Sequence, residues 1–229
     1  MREAPIRHVL LIHGAGGGGW EWTLWCELLR ARGLLAHAPD LRPAPGGLAS
    51  TGFDDYAAQA RAALEALPRP RALIGASLGG LLALRCADAA DALVLVNPLP
   101  PAPWSARMPG RDWPALVPWR RDARLASTRR ALPDADDAGA LYAYRRWRDE
   151  SGAVLRAAQA GIAVAAPACA TLCVASARDE DVPPELCAEL ARAWGAELLQ
   201  APSPSHVGPL LGRGAVELAG RVADWLSAR

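Results

Sequence analysis

The sequence predicts an α/β fold, a mostly parallel sheet of about six strands with helices on both faces. Short apolar runs alternate with longer amphipathic stretches, the pattern of strand–helix–strand units. Several runs carry no polar alternation, Leu93-Val94-Leu95-Val96 among them, which is how strands buried on both faces read. The stretches between them place apolar residues at three-and-four spacing, the period of a helix face.

Taken in order, the first strand is expected at 8–12, running directly into the glycines of Gly14 to Gly19. A helix at 20–32 and a strand at 34–38 follow, then a helix at 56–67 and a strand at 72–75. The next helix, 78–88, opens directly after Ser77 and leads to the strand at 92–96. From Pro98 to about Glu150 the alternation stops. This Pro-, Trp- and Arg-rich stretch contains no convincing strand, and a segment so long inside one domain is expected to be a partly helical, cap-like insertion over the sheet edge. The alternation resumes with strands at 171–175 and 196–200 and helices at 184–194 and 214–228. Pro183-Pro184 and Gly214 stand where those two helices should begin. Residues 1–229 thus read as one domain with an insertion at about 98–150.

Composition removes several functions. Hydrophobic residues make up 52% and charged residues 21%, a globular balance, and the formal net charge of +1 provides no field for nucleic acid or an acidic membrane. All 25 basic residues are Arg, which excludes a P-loop lysine, a Schiff-base lysine and the lysine of short-chain dehydrogenases. No apolar run approaches the roughly 20 residues of a membrane span. Val9-Leu10-Leu11-Ile12 is too short for a secretory signal. The 5 cysteines form no framework, so reduced thiols and a cytoplasmic setting are expected. Cys169 and Cys173 lack a second Cys/His pair nearby, so no metal site is expected.

Gly75-Ala76-Ser77-Leu78-Gly79 is G-x-S-x-G between a strand and a helix, the setting in which a sharp turn presents a serine hydroxyl. Serine needs a base. Of the 4 histidines, His8 and His37 lie within expected strands, and His13 is expected to brace the glycine loop. His206 follows the last strand, at the same sheet edge as Ser77. Asp179 is the expected partner of that imidazole, with Asp181 the alternative. Backbone amides should stabilise an oxyanion: one from Leu78, the second from Ala15 or Gly16.

These motifs resemble those of α/β-hydrolase-fold serine hydrolases along nearly the whole chain. The matching residues are His13-Gly14-x-Gly16, Pro39-Asp40-Leu41, Gly75-x-Ser77-x-Gly79-Gly80, Asp179 before Val182-Pro183, and Ser205-His206. The stretch from His13 to Trp20-Glu21-Trp22 is similar to small carboxylesterases related to plant methyl esterases and hydroxynitrile lyases. Ala76 stands where many members have histidine, and the two leading antiparallel strands of the family have no counterpart, so a trimmed sheet is expected. The resemblance implies a cofactor-independent enzyme. It would cleave a carboxylic ester or thioester through Ser77, His206, Asp179 and an acyl-enzyme. The same scaffold can also act as a lyase or cyclase, using these groups as acid and base.

A competing reading is a dinucleotide loop, since Gly14-x-Gly16-x-x-Gly19 has Asp40 at the end of the next strand. Trp20, Trp22 and Trp25 are bulky for a helix packed on a pyrophosphate, and that reading leaves Ser77, Asp179 and His206 without a task. Trp20, Trp104 and Trp119 are the first candidates for an apolar substrate pocket, with Trp22, Trp113 and Trp147 behind them, while any single one of them reads more readily as closing the core beneath the insertion. Arg107, Arg111, Arg120, Arg121, Arg129 and Arg130 read as a solvated face or as a dock for a carrier-bound thioester.

Overall fold

The computed structural model describes residues 4–229. In chain order the elements begin with β1 (His8–Ile12), α1 (Thr23–Ala31), β2 (Leu35–His37), α2 (Phe53–Glu65), β3 (Arg71–Ala76), α3 (Leu78–Arg85) and β4 (Ala92–Val96). Next come β5 (Leu116–Val117), α4 (Leu125–Ala131), α5 (Asp137–Tyr144), β6 (Glu150–Ser151) and α6 (Gly152–Ala160). The chain closes with β7 (Ala170–Ala175), α7 (Pro184–Trp194), β8 (Glu197–Gln200), α8 (Gly208–Leu211) and α9 (Ala215–Ser227).

The main sheet has 6 strands in the order β2-β1-β3-β4-β7-β8, and every neighbouring pair is parallel. Successive side chains on a strand face opposite ways, so each apolar run supplies both cores. Leu10, Ile12, Leu73, Leu93 and Leu95 pack with Tyr56 and Leu64 of α2, Leu81 and Leu82 of α3 and Leu190 of α7. Val9, Leu11, Ile74, Val94 and Val96 meet Trp25 and Leu29 of α1 and Leu218, Val222 and Leu226 of α9. Each such large apolar side chain contributes about 1.5–3 kcal/mol on burial, which is why these runs tolerate no polar member.

The chain leaves β1 for β2 on one side and returns to β3 on the other. Its connections therefore part above the C-terminal ends of β1 and β3, and that crevice is where open parallel sheets bind ligands.

Two differences from the sequence expectation lie beside this crevice. The stretch after Pro98 does contain a strand: Leu116 and Val117 of β5 pair antiparallel with Ser151 and Glu150 of β6. Two-residue strands carry no readable period. The second difference is α6, unassigned in the sequence, whose Ser151 side chain caps it by accepting the Val154 N–H at 3.4 Å.

Candidate active site

The turn after β3 is held by close approach. A Cβ on Gly75 would lie 2.1 Å from the Gly79 carbonyl oxygen, and one on Gly79 would lie 2.2 Å from the Ile12 carbonyl oxygen. Between them Ser77 takes φ 52° and ψ −120°, a region that side-chain-bearing residues rarely occupy. Its N–H donates to Val96 O at 3.0 Å, while its carbonyl accepts the N–H groups of Gly80 and Leu99, each at 2.9 Å. These bonds fix the hydroxyl at the N-terminus of α3.

His206, in the loop between β8 and α8, meets that hydroxyl: Nε2 lies 2.9 Å from Ser77 Oγ. Its Nδ1 lies 2.7 Å from Asp179 Oδ2. A carboxylate only accepts, so Nδ1 carries the proton and Nε2 presents a lone pair to the serine. The other Asp179 oxygen accepts the Asp181 and Val182 N–H groups, both at 2.9 Å. The alternative carboxylate, Asp181, instead pairs with Arg111 at 3.2 Å in an exposed ion pair. Burial disfavours charge on the His206 ring, but the Asp179 hydrogen bond and the charges of Asp179 and Asp181 outweigh it and hold the pKa above the ordinary value.

Asn97, at the end of β4, braces this loop. Its Nδ2 donates to His206 O at 2.8 Å and to Ser176 Oγ at 2.9 Å, and its Oδ1 accepts the Ser176 N–H at 2.8 Å.

The glycine loop after β1 lies against Ser77; a Cβ on Gly14 would be 3.3 Å from the serine Cβ. His13 at its base donates from Nδ1 to Gly14 O at 2.8 Å. Its Nε2 accepts the Leu41 N–H at 3.0 Å and faces Arg148 at 3.1 Å. Burial lowers its pKa to about 4, so the ring stays neutral. Gly16 departs from its expected role, because its N–H donates to buried Glu150 at 2.9 Å. The N–H groups of Ala15, beside the cavity, and of Leu78, first in α3, have no acceptor among the described residues.

Ser77, His206 and Ala15 open into a cavity of about 430 Å³. Its outer wall is Met108, Trp113, Trp119 and Trp147, and Leu155 and Ala158 of α6 extend it beyond residue 150. Trp119 lies directly on the loop, where a Cβ on Gly16 would meet its ring at 2.5 Å. Trp20 and Trp104 do not line this space. Trp20 packs behind it between Trp147 and Tyr142, with ring centroids at 5.2 and 5.7 Å. Trp104 packs on Trp194 at the end of α7, at 5.7 Å. Both side chains close the gap between a turn and a helix. Four of the six arginines singled out, Arg107, Arg111, Arg121 and Arg129, are held in ion pairs with carboxylates of this chain.

Asp40, the residue a dinucleotide loop would turn toward a ribose, accepts the Gly19 N–H at 2.8 Å and closes the loop on itself. A family model for alpha/beta hydrolases matches residues 9–221. The chain belongs to the alpha/beta hydrolase family. Solved structures of similar shape include a pyrethroid hydrolase from Sphingobium faniae, with TM-score 0.76, 22% identity and coverage of 97% of this chain and 98% of that one. A methylesterase from Arabidopsis has TM-score 0.73 and 16% identity, covering 98% and 100%. Tomato methylketone synthase I, solved with 2-tridecanone, has TM-score 0.75 and 16% identity, covering 96% and 97%. No protein of curated function matches the sequence significantly.

The sequence did not single out Asn97, Glu21, Glu150 or Arg148 of this hydrolase. A polar residue ending the apolar run of β4 was a usable signal for Asn97. Glu150 gave none, because its contact with Gly16 spans 134 positions of chain, and Glu21 gave none although its contact with Gly14 spans only 7.

Among the described residues no helix is long and apolar enough to cross a membrane, and no cluster of three or more His, Cys, Asp or Glu could hold a metal ion.

Proposed function

We propose that this hydrolase cleaves carboxylic esters carrying a bulky apolar or aromatic group, through an acyl-enzyme on Ser77. The observation that carries the reading is the continuous relay from Ser77 Oγ through His206 to Asp179, at 2.9 and 2.7 Å. Ser77 Oγ attacks the ester carbonyl carbon while His206 Nε2 takes its proton. The Ala15 and Leu78 N–H groups receive the oxyanion. Protonated His206 then gives its proton to the departing alkoxide. Water repeats the sequence on the acyl-enzyme and releases the acid. The apolar cavity wall and the esterases among proteins of this shape support an apolar ester substrate.

Intact mass after treatment with a fluorophosphonate, on wild type and Ser77→Ala, tests the nucleophile. One adduct confined to wild type, with turnover of p-nitrophenyl esters, is the expected result. A folded wild type that neither labels nor turns over overturns it. Aryl thioesters measured in parallel decide between oxygen and sulfur esters. A trapped acyl-enzyme that goes on to turn over separates hydrolysis from lyase or cyclase chemistry.

A further inference from the structure

The glycine loop is wrapped around a carboxyl group. Glu21, in the turn between the loop and α1, is 3% exposed, and its Oε2 accepts the Gly14 N–H at 3.3 Å. A Cβ on Gly17 would lie 2.0 Å from that same oxygen, so a side chain there would push the carboxyl out of its place under the loop. The group also borders the cavity that holds Ser77 and His206. The charged or titratable groups facing it are His206, from the loop after β8, and Arg148, from the strand-flanking segment before β6. Among the described residues neither forms an ion pair with it, and Arg148 spends its guanidinium on the Gly17 and Leu41 carbonyls and on His13.

An unpaired charge in such a place is expensive, and a neutral acid avoids that cost while its carbonyl oxygen still accepts the Gly14 N–H. We propose that Glu21 is a positioning residue for the ester cleavage proposed above: as a neutral acid it holds the glycine loop so that the Ala15 amide faces the developing oxyanion, and its ionisation ends activity at alkaline pH. Burial opposes the carboxylate more strongly than the Gly14 and Gly18 amides, His206 and Arg148 favour it, and the pKa rises to about 8. Below that value the loop closes on an uncharged group. Above it, the carboxylate must draw in water or swing out, and the amide donors move with it.

This rests on the ester-hydrolase reading, so the test starts from wild type that labels at Ser77 and turns over p-nitrophenyl esters. Rate–pH profiles of wild type and Glu21→Gln are then compared. Wild type should lose activity with an alkaline midpoint near 8, chiefly in kcat. Glu21→Gln keeps the neutral shape and should hold its rate to at least about a unit beyond that midpoint, with the acid limb retained. The infrared band of a protonated carboxyl, present in wild type at neutral pH and missing in Glu21→Gln, reports the same proton without any turnover. An unchanged alkaline limb in Glu21→Gln, or no such band in wild type, overturns the inference. A failure to label at Ser77 overturns the function itself, and the two results are read separately.

Discussion

Replacing Asp179 by Asn removes one charge and almost no volume, and the surrounding hydrogen bonds dictate what the new amide must do. The oxygen facing the Asp181 and Val182 N–H groups receives two donors at 2.9 Å, so that position must remain an acceptor. The amide NH₂ is therefore forced toward His206 Nδ1, at the present 2.7 Å contact. Nδ1 must then accept, and the imidazole proton moves to Nε2, where it points at Ser77 Oγ. A ring in that tautomer cannot take the serine proton. The same inversion in a serine protease lowers kcat about 10⁴-fold, or about 5 kcal/mol of transition-state stabilisation. We expect that magnitude in kcat for p-nitrophenyl acetate, with KM and thermal stability little changed. Asp181→Asn, altering only an exposed ion pair, should leave kcat within about threefold. A fall of less than about tenfold in Asp179→Asn, or an equal fall in Asp181→Asn, would refute the tautomer argument.

Three further outcomes follow from the geometry. Because His206 must be neutral to act and its pKa is raised, activity should disappear as pH falls through a midpoint on the high side of 6.5; a rate–pH profile of kcat/KM checks it. Glu21 has a folded pKa of about 8 against an ordinary 4.5, so its neutral form stabilises the fold fully below the ordinary value, and that contribution is lost as pH rises toward 8. Urea denaturation at two pH values about two units apart inside that window should therefore show Glu21→Gln gaining about 3 kcal/mol on wild type between them. Trp119→Ala opens the wall beside Gly16 and should cost small aromatic esters about tenfold in kcat/KM while sparing or favouring larger acyl groups, as a chain-length series would reveal.

Much of the fold is written locally. Leu93-Val94-Leu95-Val96 is readable as a buried strand because every residue must satisfy one core or the other. The turn at Ser77 is readable from its G-x-S-x-G pattern between strand and helix, although only Gly75 answers a contact inside that turn while Gly79 answers the Ile12 carbonyl on β1. Asp179 and His206 could be grouped with Ser77 only by assuming which sheet edge their loops reach. The aromatic residues were less legible. Trp20 and Trp119 are chemically alike, and whether an indole faces a cavity or props up its neighbour is decided by packing partners such as Tyr142 and Trp147, more than a hundred positions from Trp20. Glu150 is hidden for the same reason, whereas Glu21 has its partners Gly14 and Gly17 close by in the chain. A lone acidic residue beside tryptophans carries no sign that a glycine loop will fold over it.

The strand order has a kinetic consequence. Ser77 and His206 are separated by 129 positions, and the hydrogen bond between them requires β4 and β7 to be in place between β3 and β8. Parallel pairings of this kind close long loops before they return any contact energy, so they form late in folding. Far-ultraviolet dichroism should recover as helices such as α2 and α9 form locally, while esterase activity waits for β8 to dock. Refolding followed by both signals would therefore date the completion of the sheet, with turnover as its last-arriving marker.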